Sequence, residues 1–174
     1  MKKNIVSVFG TSDVGPTAEL YQTARELGRT IAEAGLVLCN GGYGGTMEAA
    51  ARGAVEAGGH TIGVTCTRFR RGGPNPYIRQ EVPTFDLLQR LNTLLQLGQA
   101  YVVLPGGTGT LTELALAWEL LNKGLLSGER TLVVLGDCWQ PVIDCVARVQ
   151  PSAVPPRVVA DVPAVGRILA RLAE

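Results

Sequence analysis

The stretch "AYVVLPGGTGTLTELALAWELL", residues 100–121, decides how this chain is read. An apolar run, Ala100 to Leu104, breaks at Pro105. A glycine-threonine loop follows, and then an amphipathic pattern that carries Glu113 near its start. A short, continuous apolar run suits a strand buried on both faces, and the period after the loop suits a helix packed upon it.

The same grammar recurs along the chain. Runs rich in Val, Ile and Leu end in glycine or a polar turn at "IVSVFG" (5–10), "LVLCNGG" (36–42), "TIGVTC" (61–66), "YVVLPGG" (101–107) and "TLVVLGD" (131–137). Helical patterns lie between them at 17–34, 46–57, 86–97, 110–123, about 139–149, and 163–173. Strand alternating with helix implies βαβ units with right-handed crossovers. The expected fold is α/β, a three-layer Rossmann-like architecture with a mostly parallel sheet, formed by residues 1–174 as a single domain. The segment "TRFRRGGPNPYIRQEVPT" (67–84) reads as an irregular surface connection able to act as a lid, and 150–157 as a second, Pro-rich one.

Composition narrows the function. The 174 residues are 46% hydrophobic and 18% charged, enough apolar content for a sizeable core. The net charge of +1 gives no push toward nucleic acid, and no apolar span is long enough to cross a bilayer. Cys39, Cys66, Cys138 and Cys145 show no CxxC spacing, and His60 is the sole histidine, so no metal site is expected. Reduced cysteines and the lack of a secretory signal fit a cytoplasmic protein.

Ligands of open α/β sheets bind beyond the carboxyl ends of the strands. Three strands here end in glycine-bearing loops, "GTSDVGP" (10–16), "NGGYGGTM" (40–47) and "PGGTGT" (105–110). Glycine lets the backbone approach a ligand, and a helix N-terminus offers unpaired N–H groups, so the set reads as an anion pocket, most simply for phosphate. None of the loops is followed by GK[ST], which disfavours ATP hydrolysis of the P-loop kind. None gives G-x-G-x-x-G, and the second strand ends in Cys39 and Asn40 where a dinucleotide enzyme carries an acidic residue.

"PGGTGTLTE" (105–113) resembles the P-G-G-x-G-T-x-x-E signature of the LOG-type proteins, long labelled lysine decarboxylase-like, which include cytokinin-activating nucleotide phosphoribohydrolases. "GGYGGTMEAAARGA" (41–54) resembles the family's other glycine loop. With Glu48 where the hydrolases usually have glycine, it is closer to the branch that holds the molybdenum-cofactor carrier protein. The resemblance implies that an arginine in the preceding helix works with the motif glutamate. Arg90 stands at that spacing, fifteen residues before Pro105, but the usual lysine beside it is replaced by Leu91.

The resemblance thus implies a catalytic pair, Glu113 and Arg90. The ligand-binding set is Gly10, Thr11 and Ser12; Gly41, Gly42, Gly44, Gly45, Thr46 and Met47; and Pro105, Gly106, Gly107, Thr108, Gly109 and Thr110. Glu113 would orient or deprotonate water beside a ribose C1′, and Arg90 would grip phosphate or sugar. Each residue has a plainer reading. "TLTE" (110–113) is also a T-x-x-E capping box, in which Glu113 closes a helix start. Arg90 on a leucine-rich helix would ordinarily face solvent. Arg68, Arg70, Arg71 and Arg79 read as a solvated loop face or as a lid over an anion. His60 is expected to be structural, and Trp118 and Trp139 to pack in a core or subunit interface.

Two functions remain open at this level. One is hydrolysis of the N-glycosidic bond of a nucleoside 5′-monophosphate. The other is a non-catalytic carrier or sensor of molybdenum cofactor or a nucleotide. No cofactor is required for the first, and the bound molecule would be AMP-like or a molybdopterin. Lysine decarboxylation is excluded, because Lys2, Lys3 and Lys123 offer no anchor for a pyridoxal cofactor. The leucine-rich helices at 86–97 and 110–123 support a homodimer or homotetramer.

Overall fold

The computed structural model describes residues 4–69 and 72–172. Seven strands, β1 (Ile5–Phe9), β2 (Val37–Asn40), β3 (Thr61–Cys66), β4 (Gln80–Thr84), β5 (Ala100–Val103), β6 (Thr131–Leu135) and β7 (Arg157–Val159), form one sheet in the order β4-β3-β2-β1-β5-β6-β7. Every pairing is parallel. The helices are α1 (Glu19–Glu33), α2 (Thr46–Glu56), α3 (Leu87–Leu97), α4 (Thr108–Asn122), α5 (Gln140–Val149) and α6 (Val162–Leu169).

Period-two alternation divides the central strands between two cores. Val6, Val8, Val102, Val133 and Leu135 face α1, α2 and α6, whereas Phe9, Tyr101, Val103, Leu132 and Val134 face α3, α4 and α5. The strands therefore read as unbroken apolar runs because both faces are covered. Trp118 and Trp139 belong to the second core, where their indole N–H groups donate to the carbonyls of Val154 and Leu104.

Two strands escaped the sequence pattern. β4 lies inside the 67–84 segment expected to be irregular, and β7 begins at the last residue of the Pro-rich connection expected at 150–157. Both are edge strands. β4, "QEVPT", is mostly exposed and contains Pro83, which an edge tolerates because one side of the ladder is unpaired. β7 spans only three residues. The remaining part of 67–84 carries a single 3₁₀ turn, Thr67–Phe69; Arg70 and Arg71 lie outside the described residues. His60 is exposed, 3.3 Å from the Gln80 side chain.

Among the described residues the cysteines are free, and no helix is long and apolar enough to cross a membrane. The Arg130 guanidinium donates to the carbonyls of Leu95 and Gly98, closing the C-terminal end of α3 against β6.

The chain runs outward from β1 through β2, β3 and β4, then returns to place β5 on β1's other side. The strand order reverses between β1 and β5, and the loops leaving these two strands diverge to open a crevice. α1 and α2 cross beside it at close range. A methyl group on Gly28 would meet the Ala50 carbonyl, and one on Gly53 would meet the Arg25 carbonyl. Neither neighbour is a flexible side-chain tip, so the contact cannot relax locally. Gly28→Ala and Gly53→Ala should each lower unfolding stability by about 1–3 kcal/mol, measured by urea denaturation, despite alanine's better helix propensity.

Candidate functional site

The crevice at the β1/β5 divergence is a cleft of about 340 Å³. Its walls come from the β1 loop (Gly10, Thr11, Ser12, Asp13), the start of α4 (Gly107, Thr108, Gly109, Thr110, Thr112, Glu113) and α3 (Leu87, Arg90, Leu91). Tyr43, Met47 and Phe69 complete it. The first N–H groups of α4 have no acceptor within the helix, and the helix dipole adds partial positive charge there. Gly107, Thr108 and Gly109 are exposed at this end, so the backbone presents those groups to the cleft.

α4 starts at Thr108 with Gly107 as N-cap, not at Thr110, and no side chain caps it. This removes the capping-box reading. Thr110 is buried in the first turn, and Glu113 lies in the second turn, where the unpaired N–H groups of the helix start are out of reach. The Glu113 side chain lines the cleft instead, with the residue only 8% exposed. Burial pushes its carboxyl up to about 7, partly opposed by the nearby positive charge of Arg90.

Arg90 is likewise not the solvent-facing residue that helix patterning suggests. It is 7% exposed. Its Nε donates to the Val64 carbonyl at 2.8 Å. Its guanidinium carbon lies 5.7 Å from the Tyr43 ring centre and 5.5 Å from that of Phe69, within cation–π range. Nη1 stands 3.8 Å from Glu113 Oε1. That distance is too long for a hydrogen bond, so the two charges face each other without closing.

The three glycine loops play different parts. Of the loop at 41–47, only Tyr43 and Met47 line the cleft, so Gly41, Gly42, Gly44, Gly45 and Thr46 do not form the wall expected of them. A side chain at Gly41 would strike the Arg90 guanidinium and the Met47 sulfur, so this glycine makes room for Arg90. Gly45 adopts φ 66° against the backbone of Thr11 and Ser12. Thr46 donates to the Thr11 carbonyl through both its N–H and its hydroxyl, each at 2.9 Å. The loop thereby clamps the β1 loop in place.

Asn40 is buried and holds this arrangement from below. Its side chain donates to the Met47 carbonyl and accepts from the Gly42 N–H. Pro105 faces a separate hollow with Leu135 and Asp137, and Gly106 packs beneath the Thr110 side chain; neither lines the cleft.

Beyond the expected set, Asp13, Tyr43, Phe69, Leu87, Leu91 and Thr112 also line the cleft. Tyr43 and Phe69 lie far apart in sequence and meet only over Arg90, and Asp13 and Thr112 look like ordinary loop and helix positions. Arg68 stacks over Phe85, 4.9 Å from its ring centre, and neither it nor Arg79 lines the cleft. Glu48 also lies outside: it accepts from the Tyr21 hydroxyl at 3.2 Å, between α1 and α2.

The raised Glu113 carboxyl has a measurable consequence. The native state holds its proton between about pH 4.5 and 7, where the unfolded chain releases it. Glu113 therefore contributes full stability below pH 4.5 and loses it as pH rises to 7. Wild type should lose about 3 kcal/mol between pH 4 and pH 8 relative to Glu113→Gln, measured by urea denaturation at each pH.

Known proteins share this sequence and fold. The SLOG cluster4 family model matches residues 3–138. A cytokinin riboside 5′-monophosphate phosphoribohydrolase of Mycobacterium tuberculosis is 33% identical over 132 residues, 70% of this chain and 65% of that enzyme. A pyrimidine/purine nucleotide 5′-monophosphate nucleosidase of Escherichia coli K12 is 30% identical over 121 residues, 64% of this chain but 26% of that protein. Among solved structures, a molybdenum cofactor carrier protein of Chlamydomonas reinhardtii superposes with a TM-score of 0.78 at 27% identity, over 98% of both chains. A molybdenum cofactor binding protein of Rippkaea orientalis shares the fold, with a TM-score of 0.81 at 24% identity over 100% of this chain and 99% of its own. With the family pattern matched from β1 through β6, this chain belongs to the LOG-like SLOG cluster4 family.

Proposed function

We propose that this chain binds a nucleoside 5′-monophosphate, with its phosphate at the N-terminal end of α4, and hydrolyses the N-glycosidic bond. The observation that carries the reading is Glu113: a cleft-lining carboxylate that caps nothing, faces Arg90 across 3.8 Å, and titrates near neutrality. A general acid–base group works best with its pKa near the working pH.

The chemistry balances without a cofactor. Water adds to C1′ as the C1′–N bond breaks, and the bonding electrons leave with the base. Glu113 takes a proton from the attacking water and stabilises the cationic sugar, as carboxylates do in glycoside hydrolysis. The departing base nitrogen gains a proton, and the net products are free base and ribose 5-phosphate. Arg90, with Nε spent on the Val64 carbonyl, has its terminal N–H groups for the sugar or phosphate. Glu48 does not argue against turnover, because its side chain points to Tyr21 and leaves the cleft unchanged.

A second reading is a carrier that holds a phosphorylated pterin in the same cleft without turning it over. The end-to-end superposition on the Chlamydomonas reinhardtii carrier favours it, as does apolar Leu91 in the cleft where hydrolases of this type carry lysine. The test is chromatography of free base after incubation with a panel of nucleoside monophosphates. Release should fall by about 100-fold or more in Glu113→Gln and in Arg90→Ala. No release from any nucleotide, with nucleotide or pterin binding retained, would favour the carrier.

We also propose that copies of the chain associate through the helix ends beside the cleft. Phe85, Leu87 and Leu88 at the start of α3 and Leu111 at the start of α4 are exposed, Leu88 to 76%. Light scattering should show a dimer or larger species, and Leu88→Asp should shift it toward monomer.

A further inference from the structure

The cleft does not end at Tyr43. Ser12, Asp13 and Tyr43 line both the cleft and a second, shallower hollow of about 440 Å³ bounded by Gly44, Gly72, Gly73 and Asn75. A ligand anchored at the start of α4 can therefore extend past the β1 loop into this hollow. The polar side chains at the junction are already oriented. The Asn75 amide donates to the Gly42 and Tyr43 carbonyls at 3.1 and 2.8 Å and accepts from the Tyr77 N–H. The Tyr43 hydroxyl donates to the Cys66 carbonyl and accepts from the Cys66 N–H.

Asp13 is different. Its N–H donates to Thr11 Oγ1 at 3.0 Å, and its Oδ1 accepts from the Ser12 hydroxyl at 2.8 Å, which fixes the carboxylate without using its remaining lone pairs. It is exposed, and it is the one acidic side chain lining both spaces among the described residues. A carboxylate offers two acceptor oxygens and no donor, so it matches a ligand edge that presents two adjacent N–H groups.

We propose that Asp13 is a specificity-determining residue that reads the ring of the ligand, selecting a 2-amino-4-oxopyrimidine edge. This edge carries a ring N–H beside an exocyclic amine, and it is common to guanine and to pterins. Adenine presents a ring lone pair beside its amine, which the carboxylate repels, and hypoxanthine has the ring N–H but no amine. The proposal rests on the start of α4 being the phosphate seat, and it deepens that reading by naming the ring class. It also explains how one cleft can suit either a guanine nucleotide or a phosphorylated pterin.

Titration calorimetry with GMP, IMP, neopterin monophosphate and ribose 5-phosphate tests it on wild type and Asp13→Asn. GMP and IMP differ only in the exocyclic amine, and ribose 5-phosphate, which has no ring, is the reference for each protein. Wild type should bind GMP about tenfold more tightly than IMP, the worth of one hydrogen bond to a charged group, and the ratio should fall toward one in Asp13→Asn. Binding of neopterin monophosphate that weakens in the variant, with little binding of GMP, supports the same edge and assigns it to a pterin. Equal affinities for GMP and IMP in wild type, or a preference that survives in Asp13→Asn, would overturn the proposal while ribose 5-phosphate binding keeps the phosphate seat. If none of the four binds, the phosphate seat itself fails, and the role of Asp13 with it.

Discussion

A guanidinium and a carboxylate are held out of water at the carboxyl end of the sheet, and that end of the molecule is arranged around them. Desolvating two charges costs several kcal/mol for each, and well-packed apolar side chains of similar volume often serve stability better. The chain offsets the cost on the Arg90 side with the Val64 carbonyl and two aromatic faces. On the Glu113 side it does not, since 3.8 Å leaves the ion pair unclosed and burial raises the carboxyl toward neutrality. A tight bridge would have done the opposite and fixed Glu113 as a permanent anion. The open pair keeps a titratable group beside a permanent cation, which suits chemistry better than it suits stability.

The topology puts the pair where a ligand can reach it. Arg90 comes from α3 and Glu113 from α4, so β5 and its loop separate them in sequence and set their spacing. On the other flank, α2 fastens the β1 loop through Thr46, while the absence of a side chain at Gly41 lets the guanidinium lie against the strand ends. Small residues serve the site here by leaving space for a large cation, more than by offering backbone to a ligand.

The layer architecture was legible because strands covered on both faces announce themselves as unbroken apolar runs. β4 and β7 were not, because an edge strand is half-solvated and its residues, such as Gln80, Glu81, Pro83 and Arg157, are those of a loop. The motif around Glu113 was legible, but its setting was not: T-x-x-E fits a cap equally well, and only the observed helix start at Thr108 sets the cap aside. The burial of Arg90 was hidden for another reason. Its partners Val64, Tyr43 and Phe69 lie on β3 and the loops after β2 and β3, and no local period can report such long-range company. The same holds for Asp13, whose place between two hollows depends on the loops at 41–47 and 72–75.

The central position of β1 bears on how the chain is made. β1 precedes the other six strands of this sheet in the chain, yet its two neighbours, β2 and β5, are separated by some 60 residues of chain. The half from β1 to β4 can pair in order as it emerges, while the other edge of β1 stays bare until residues 100–103 arrive. Such late, long-range pairing is slow, because loop closure precedes the contacts that reward it. The cleft lies at that late seam, so the half-sheet from β1 to β4 contains neither Glu113 nor a completed pocket. The cleft is thereby completed only once β5 has paired with β1.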